Sequence, residues 1–484
     1  MYWRPSSLPR MPVLLLTLGL VWLVCASPGF AAGSIIAQAN TYVVNDRADL
    51  PDVAPGNGQC TLRAAVDEAN ADGVPSTITF AKRFQGSDGF SAYATTPVLS
   101  ANGTTIDASS QWDTAGDRPG VQFGTAPGSF GLVISSSNNT VMGILFAGGG
   151  TGVRISGGNN TIGGTAAGQR NVFLTGQYGV HTLGGATGNT IVGNYFGTAD
   201  GSSVAASGLI GVYLQVGNGN TVDDNLIVNQ GHGVYVQSDN NVIKDNIIGM
   251  SENKYTALPN GCGILLYLGR ANTVGPNNVV AGNREVGVYA WSAPNSTITG
   301  NWIGYGSNGN GGDGVRIREA ENPTVTDNII TANTGHGIYA TFTYSGSNNY
   351  VTIRGNTIGA TTYGAPNGKD GVYFDPETTG TIGGSAAGQR NIIGGNGGDG
   401  IYLDGSDNVT IVGNWIGLDS AGAYDNGNSG HGIRVTGSNN TIGGSGAGAG
   451  NWIAYNKQYG ILISGSGATG NVVVGNVLGA PLNW

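Results

Sequence analysis

Acidic residues and histidines recur immediately before a glycine that repeats through the second half of the chain. Asp370, Asp399 and His431 each stand at this position, and Arg434 follows His431 by three residues. If such positions stack on one another, two carboxylates and a histidine within about 10 Å could perform the acid–base work of glycoside hydrolysis. We therefore predict these four residues as candidate catalytic residues. The alternative is that Asp and His before a turn glycine are ordinary turn residues.

Two further acidic residues lie four positions after the same kind of glycine. Stacking would place Asp375 about 5 Å from Asp404, with Arg434 nearby. Neighbouring carboxylates repel one another unless a cation lies between them, so the pair predicts a possible Ca²⁺ site, and no other cofactor is expected. Paired carboxylates with an arginine also fit a polysaccharide lyase, in which calcium binds the uronate and a base removes its proton. The alternative is an ordinary charged surface.

Aromatic residues dominate the position two residues after the repeated glycine, which is tyrosine in six of the twelve repeats from Arg154 to Leu462. A row of outward aromatic rings suits the C–H faces of sugars, which predicts a polysaccharide or cell-surface glycan as the partner. The alternative is that stacked tyrosines stabilise neighbouring strands by cross-strand contacts. The predicted carbohydrate-binding residues, with two aromatic residues placed two positions further along the same face, are Tyr213, Tyr235, Tyr267, Tyr289, Trp291, Tyr339, Tyr373 and Tyr402.

The triplet Gly-His-Gly occurs three times, at His232, His336 and His431. One enzyme rarely needs the same catalytic triplet three times, so we interpret it as a turn of a repeat. His232 is then expected to lie between Ile210 and Cys262 of the neighbouring repeats. Among the histidines, His431 is the preferred catalytic candidate because acidic residues occupy the equivalent positions before it.

All of these positions stack only if the chain is a repeat of short strands. The motif G-[LVI]-x-[ILVTAF] recurs thirteen times from Gly131 to Gly460, at a mean step of about 27 residues, and motifs such as NTIVGNYFG lie between many of these glycines. Each unit offers three strands that are too short to fold alone. Stacked units bury their apolar residues together, which predicts a right-handed parallel β-helix of thirteen coils, roughly 60 Å long.

Side-chain directions follow from this fold. Asparagines beside the strands, such as Asn189 and Asn194, suit turn positions where their amides bond the backbone. The first and third residues after each repeated glycine should point inward. Examples of these predicted inward residues are Val234, Val236, Ile401, Leu403, Ile461 and Ile463.

Composition narrows the class of protein. Glycine accounts for 88 of 484 residues, and charged residues for 10%, against about 25% in typical globular domains. The 39% of hydrophobic residues argues against disorder. A net charge of −9 argues against a nucleic-acid partner, because an acidic chain repels phosphate. We expect a monomer.

The N-terminal segment has the features of a secretory signal. Arg4 and Arg10 precede the apolar run MPVLLLTLGLVWLVCA, and small residues follow near a plausible cleavage site. No other run of about 18 apolar residues occurs, so we predict no membrane span in the mature chain and a secreted or cell-surface location. Cys60 and Cys262 lie far apart in sequence and are predicted not to form a disulfide.

The segment TYVVNDRADLPDVAPGNGQCTLRAAVDEANA, followed by STITFA, resembles the CSLREA-type N-terminal module of bacterial secreted β-helix proteins. Residues 60–66 and Ala69-Asn70 carry the resemblance, and the later NNTIGGTAAGQRN and GTIGGSAAGQRN resemble that family's coils. The resemblance implies an all-β, single-stranded, pectate-lyase-like β-helix. The residues themselves predict a short capping helix that begins after Thr61 and ends at Gly73. Its apolar stripe is formed by Leu62, Ala65, Val66 and Ala69.

The predicted organisation is a signal peptide over 1–32, a capping region over 33–100 and β-helix repeats over 101–484. Three functions stay open. The first is a non-catalytic secreted scaffold that binds polysaccharide along the tyrosine face. The second is a polysaccharide lyase or glycoside hydrolase acting on an acidic, pectin-like polysaccharide, and the third is an adhesin-like protein with a protein partner. The fold alone does not choose among them.

Overall fold

The computed structural model describes residues 39–48, 59–84, 90, 96–114, 116–166, 168–343, 350–359, 364–422 and 424–479. These residues belong to one compact unit that begins at Ala39. The predicted signal peptide, residues 1–32, lies outside the described residues.

The described chain is a right-handed parallel β-helix, as the repeat predicts. Three parallel sheets, here named A, B and C, run along it, and each coil passes from sheet A to sheet B to sheet C. The sixteen strands of sheet A are Asn40–Val44, Ser76–Phe80, Thr105–Asp107, Thr140–Met142, Thr161–Gly163, Thr190–Val192, Thr221–Asp223, Val242–Lys244, Thr273–Val274, Thr297–Thr299, Thr324–Thr326, Tyr350–Arg354, Thr379–Gly383, Thr410–Val412, Thr441–Gly443 and Val472–Val474.

The other two sheets have fourteen strands each. The strands of sheet B are Val121–Thr125, Ile144–Gly148, Val172–Thr175, Tyr195–Phe196, Leu226–Ile227, Ile247–Ile248, Val279–Val280, Trp302–Ile303, Ile329–Ile330, Thr357–Gly359, Ile392–Gly394, Trp415–Ile416, Trp452–Ile453 and Val477–Leu478. The strands of sheet C are Val98–Leu99, Phe130–Ile134, Thr151–Ile155, Tyr178–Thr182, Gly208–Leu214, Gln230–Val236, Cys262–Tyr267, Val288–Trp291, Val315–Arg318, Ile338–Thr341, Val372–Phe374, Ile401–Leu403, Ile433–Val435 and Ile461–Ile463. Sheet C therefore contains one more strand than the thirteen repeated glycines predict.

The core is a column of side chains inside the coil. Val234, Val236, Ile401 and Leu403 point inward, as predicted, and are fully buried. The predicted inward residue Ile463 is instead 36% exposed, because no later strand among the described residues pairs with its own.

The repeated glycine of sheet C is required by close packing. A Cβ on Gly233 would lie 2.6 Å from the carbonyl oxygen of Gly263 and 2.8 Å from Cγ2 of Ile248. Only a hydrogen fits in this space, so the glycine recurs wherever the chain turns from sheet B into sheet C.

Buried asparagines hold all three corners, which confirms their predicted turn role. At the corner between sheets C and A, Asn189 donates its backbone N–H and its amide to Oδ1 of Asn220, both at 2.9 Å. At the corner between sheets A and B, Asn194 makes the same two bonds to Asn225. Each such row of stacked asparagines, here called a corner ladder, therefore satisfies backbone groups that no strand can pair.

The capping helix forms as predicted. It spans Leu62–Ala71, and the Thr61 hydroxyl accepts the Ala64 N–H at 3.1 Å. The helix packs against the first strands of sheets A and C, and its predicted apolar stripe is buried. A short 3₁₀ helix follows at Ser109–Gln111.

Two further findings concern the described residues. No disulfide joins Cys60 and Cys262, as predicted. In this part of the chain, no helix combines the length and the apolar character that crossing a bilayer requires.

Candidate functional site

The outer face of sheet C carries the predicted aromatic row in register, with Leu265 and Arg316 at two of its positions. Tyr213 pairs with Tyr235 on the next strand, and Tyr339, Tyr373 and Tyr402 pair in succession further along. The row spans eight coils from Tyr213 to Tyr402, or about 34 Å at the spacing of neighbouring strands. The sequence spacing therefore places these side chains correctly.

The N-terminal part of the row is a closed stack. The ring of Tyr213 lies between His181, with centroids 4.8 Å apart, and Tyr235, at 4.9 Å, and both pairs are nearly parallel. Tyr213 is only 8% exposed, and burial raises its pKa to about 12. Its hydroxyl donates to Oε1 of Gln237 at 2.5 Å. Because neighbouring rings cover both faces of Tyr213, its part in the row is to support Tyr235.

The middle of the row is an aromatic cluster. Leu265 replaces tyrosine in the row, and Tyr267 and Trp291 pair with each other on the same face, as predicted. Trp291 contacts the Tyr267 ring at a centroid distance of 4.9 Å and the Tyr289 ring at 5.9 Å. All three aromatic side chains are half-buried, so part of each remains open to solvent.

In the C-terminal part of the row, tyrosines are held by the two predicted metal-binding carboxylates. Tyr373 and Tyr402 donate their hydroxyls to the two oxygens of Asp404, at 2.7 Å and 2.9 Å. Tyr339 donates to Oδ2 of Asp375 at 3.1 Å. The Tyr339–Tyr373 and Tyr373–Tyr402 ring pairs meet edge to face, with centroids 5.2 Å apart in both. The tyrosines are thereby fixed before any ligand arrives.

The electrostatics of the two carboxylates differ. Burial raises the pKa of Asp375, although hydrogen bonds from Thr341 and Tyr339 oppose this. The pKa of Asp404 is lowered because hydrogen bonds from Tyr373, Tyr402 and other neighbours outweigh its burial.

Asp375 and Asp404 lie on neighbouring coils, as the predicted Ca²⁺ site requires. In the described part of the chain, however, no group of three or more His, Cys, Asp or Glu could hold a metal ion.

Three of the predicted catalytic residues, Asp370, Asp399 and His431, lie at the corner between sheets B and C, where they brace the backbone. The fourth, Arg434, lies on the following sheet C strand. Oδ1 of Asp370 accepts the N–H of Asp399, and Oδ1 of Asp399 accepts the N–H of His431, both at 2.5 Å. Nδ1 of His431 accepts the N–H of Tyr459 at 3.1 Å. Each side chain therefore occupies the turn role that was the alternative interpretation, and one oxygen of each aspartate is already used.

Asp399 has one feature of a proton donor, a raised pKa. It is 7% exposed, and burial raises the pKa of its carboxyl, while Asp370 repels its charge and His431 partly offsets both effects. Arg434 lies over the Tyr402 ring, with its guanidinium carbon 4.4 Å from the ring centroid. The corner between sheets B and C therefore adjoins the aromatic row at Arg434 and Tyr402.

The first Gly-His-Gly triplet lies apart from these carboxylates. His232 pairs with Ile210 on one side and Cys262 on the other, as expected. Burial lowers the pKa of His232, so the imidazole is neutral at physiological pH.

Sequence reasoning missed two features. Tyr459 is 67% exposed and stacks on His431 with centroids 5.6 Å apart, and its position directly before Gly460 in the repeat could have shown it. A cleft of about 300 Å³ also opens on the outer side of sheet B, around Arg170 and Tyr195. Its walls come from loops far apart in the sequence, so no local pattern indicates it.

Taken together, fold and site define a right-handed parallel β-helix protein with an aromatic outer face. A search of curated protein sequences returned no match. The family model described as "Periplasmic copper-binding protein (NosD)" matches residues 207–386.

Three solved structures illustrate the similarity of architecture. The A-module of the mannuronan C-5 epimerase AlgE4 from Azotobacter vinelandii is 16% identical, with a TM-score of 0.42, over 85% of this chain and 94% of its own. The Dettilon tailspike protein is also 16% identical, with a TM-score of 0.42, over 85% of this chain and 64% of its own. The alginate lyase from Paenibacillus sp. str. FPU-7 is 15% identical, with a TM-score of 0.35, over 57% of this chain and 92% of its own.

Proposed function

We propose that the protein binds polysaccharide along the outer face of sheet C. The observation that carries this proposal is an in-register row with tyrosine at six of its eight positions, Leu265 and Arg316 taking the other two. Asp375 and Asp404 fix the hydroxyls of the C-terminal tyrosines. A linear row matches the shape of a linear polymer. Rings that are already ordered lose little side-chain entropy when a sugar packs against them.

The C-terminal part of the row is the best binding segment. Here the rings meet edge to face, whereas Tyr213 has both faces covered by parallel neighbours. The Asp404 carboxylate and the tyrosine hydroxyls lie beside the rings and can exchange hydrogen bonds with sugar hydroxyls. An aromatic surface bordered by such polar groups is the usual composition of a sugar subsite.

The test is retention on insoluble polysaccharides. Tyr373→Ala combined with Tyr402→Ala should weaken binding at least about 10-fold, since two ring contacts are lost. Tyr373→Phe keeps the ring and should bind nearly as well as the wild type. The matched control is Tyr424→Ala, because Tyr424 is 71% exposed in the loop between the Trp415–Ile416 and Ile433–Val435 strands and is not a member of the row. Equal retention by the double variant and the control would refute the proposal.

A catalytic function is the second candidate, and the opposite pKa directions of two carboxylates at the two ends of the Ile401–Leu403 strand favour it. The pKa of Asp399 is raised and that of Asp404 is lowered, and such a divergence is typical of an acid and its partner carboxylate. The assay incubates the protein with a panel of polyuronates, with and without calcium, and measures unsaturated products and reducing ends. Turnover that is lost in both Asp399→Asn and Asp404→Asn would establish catalysis. A lack of turnover, together with retention on glycan, would leave the binding function alone.

Location and assembly complete the proposal. We infer that the protein acts outside the cytoplasm, which the predicted signal peptide supports, and the similarity of residues 207–386 to a family described as periplasmic agrees with this. A monomeric state and a Ca²⁺ bound at Asp375 and Asp404 stay part of the proposal. A protein partner becomes the better hypothesis if neither the tyrosine variants nor the carboxylate variants change binding or turnover.

A further inference from the structure

The cleft on the outer side of sheet B is a second site, separate from the aromatic row. Its floor is formed by Tyr195, Leu226 and Ile247, which point outward from consecutive strands of sheet B. Trp112 forms one wall, and Glu252 reaches over from the loop between sheets B and C. A volume of about 300 Å³ is the size at which small-molecule sites begin.

Negative charge dominates this cleft. Asp224 and Asp245 occupy the same corner position on neighbouring coils, so they lie about one strand spacing apart. Asp224 is exposed to solvent, but partial desolvation, together with the charges of Asp223 and Asp245, raises the pKa of its carboxyl. Lys244 bonds Asp223 at 2.6 Å and Asp245 at 3.0 Å, which leaves Asp224 without a direct cationic partner among the described residues.

The one arginine of the cleft does not neutralise it. The guanidinium of Arg170 lies over the Tyr195 ring, with its central carbon 3.6 Å from the ring centroid. Its ion pairs to Asp117 and Glu252 are long, at 4.0 Å and 3.9 Å, and both carboxylates are largely exposed to solvent. Two cations, Arg170 and Lys244, therefore face five carboxylates within the cleft and at its rim. These carboxylates are Asp117, Asp223, Asp224, Asp245 and Glu252.

Two buried polar groups at the cleft also lack hydrogen-bond partners of good geometry. Tyr195 is 4% exposed, and its hydroxyl makes no such bond in the described part of the chain. Burial, followed by a hydrogen-bonding interaction with the Glu252 carboxylate, raises the pKa of Tyr195. The Nε of Arg170 is likewise buried and unbonded within the described residues. Buried polar groups in proteins are usually satisfied, so these two are available to a ligand.

We propose that this cleft binds a small primary amine, with the ammonium group between Asp224 and Asp245. An ammonium group donates three hydrogen bonds and would relieve the repulsion between the two carboxylates. Leu226 and Ile247 pack against the carbon body of the ligand, and hydroxyl groups of an amino sugar could pair with Tyr195 and Arg170. Amino sugars and polyamines share this chemistry, and the experiment separates them.

The experiment is isothermal titration calorimetry of the full-length protein with three probes: glucosamine oligomers, the matching N-acetylated oligomers and spermidine. We expect one or both amines to bind and the N-acetylated oligomers not to bind, because acetylation removes the charge. Asp224→Asn should weaken amine binding about 10-fold. The matched control is Asp327→Asn, because Asp327 has the same left-handed corner conformation, with φ of 57° against 52° for Asp224, but lies outside the cleft.

Each other outcome refutes the proposal. Equal binding of acetylated and free oligomers would show that shape rather than charge is recognised. An equal loss in Asp224→Asn and Asp327→Asn would show a non-specific charge effect. Binding of CaCl₂ without binding of either amine would assign the cleft to a metal ion. The double variant of Tyr373 and Tyr402 should bind amines normally, so failure here is distinguishable from failure of the polysaccharide proposal.

Discussion

Removal of one buried asparagine from a corner ladder should destabilise the β-helix strongly. Asn225 is 2% exposed, and its Oδ1 accepts both the backbone N–H of Asn194 at 3.0 Å and the Asn194 amide at 3.1 Å. Its own amide donates to the carbonyl oxygens of Ile191 and Asp223, both at 2.9 Å. Asn225→Ala therefore leaves one buried backbone N–H without an acceptor and removes several further bonds.

The magnitude follows from these contacts. An orphaned buried N–H costs about 1–3 kcal/mol, and the loss of the remaining, partly compensated bonds adds about 1 kcal/mol. We expect the free energy of unfolding to fall by about 2–4 kcal/mol. The ladder residue Asn476 is only half-buried in the last coil, so water can replace its bonds, and Asn476→Ala should cost about 1 kcal/mol.

The assay is urea unfolding followed by circular dichroism, with hydrogen exchange to locate the weakened coils. The matched control is Asn218→Ala, because Asn218 is exposed and its side chain accepts a single surface hydrogen bond, from Asp239. This control should change stability by less than about 0.5 kcal/mol. The reasoning is refuted if Asn225→Ala is no more destabilising than Asn218→Ala, or if Asn476→Ala costs as much as Asn225→Ala.

Two further predictions concern packing and protonation. Gly233→Ala should lower the melting temperature or prevent folding, because the added Cβ would meet the Gly263 carbonyl oxygen. The control Gly184→Ala should be neutral, because a Cβ there would have nothing within 4 Å. Equal melting temperatures for the two variants would contradict this prediction. Burial lowers the pKa values of His181 and His232, so both should titrate below 6.5 in NMR titrations assigned with His→Gln variants. For such a base the unfolded state binds more protons, so the contribution of each histidine to stability is present above about pH 6.5 and is lost as the pH falls toward its lower folded pKa. A folded-state pKa at or above 6.5 for either ring would refute desolvation as the dominant influence on that ring.

The sequence was sufficient for the architecture because each coil repeats the same local requirements. The glycine of each sheet C strand marks a position where no Cβ fits, as Gly233 shows, and the asparagines mark corners where backbone groups need a side-chain partner. The register of the tyrosine row followed directly, since a constant number of strands per coil fixes which residues become neighbours. The capping helix was also predictable, because Thr61 and the apolar stripe are local signals.

The sequence did not show how the side chains in these positions are used. Asp404 and Asp375 looked like a bare carboxylate pair, but tyrosine hydroxyls from the same and neighbouring coils occupy them, and these contacts depend on side-chain directions that spacing does not encode. Tyr213 looked exposed, yet parallel rings cover both of its faces. Similarly, the aspartates directly before the repeated glycine could be interpreted as catalytic or as structural. The hydrogen bond that Asp370 accepts from the backbone shows its structural role.

The sequence by itself thus determined the fold, the outward row and the capped N-terminal end, because these depend on periodicity and on local sterics. Only the tertiary structure decided which side chains are satisfied, which are exposed and where a cleft opens. Arg170 and Glu252 are 82 positions apart in sequence and meet only because a loop of one coil reaches over its neighbours. Solvation and charge at such a place depend on the surrounding atoms from several coils, and no repeat pattern specifies them.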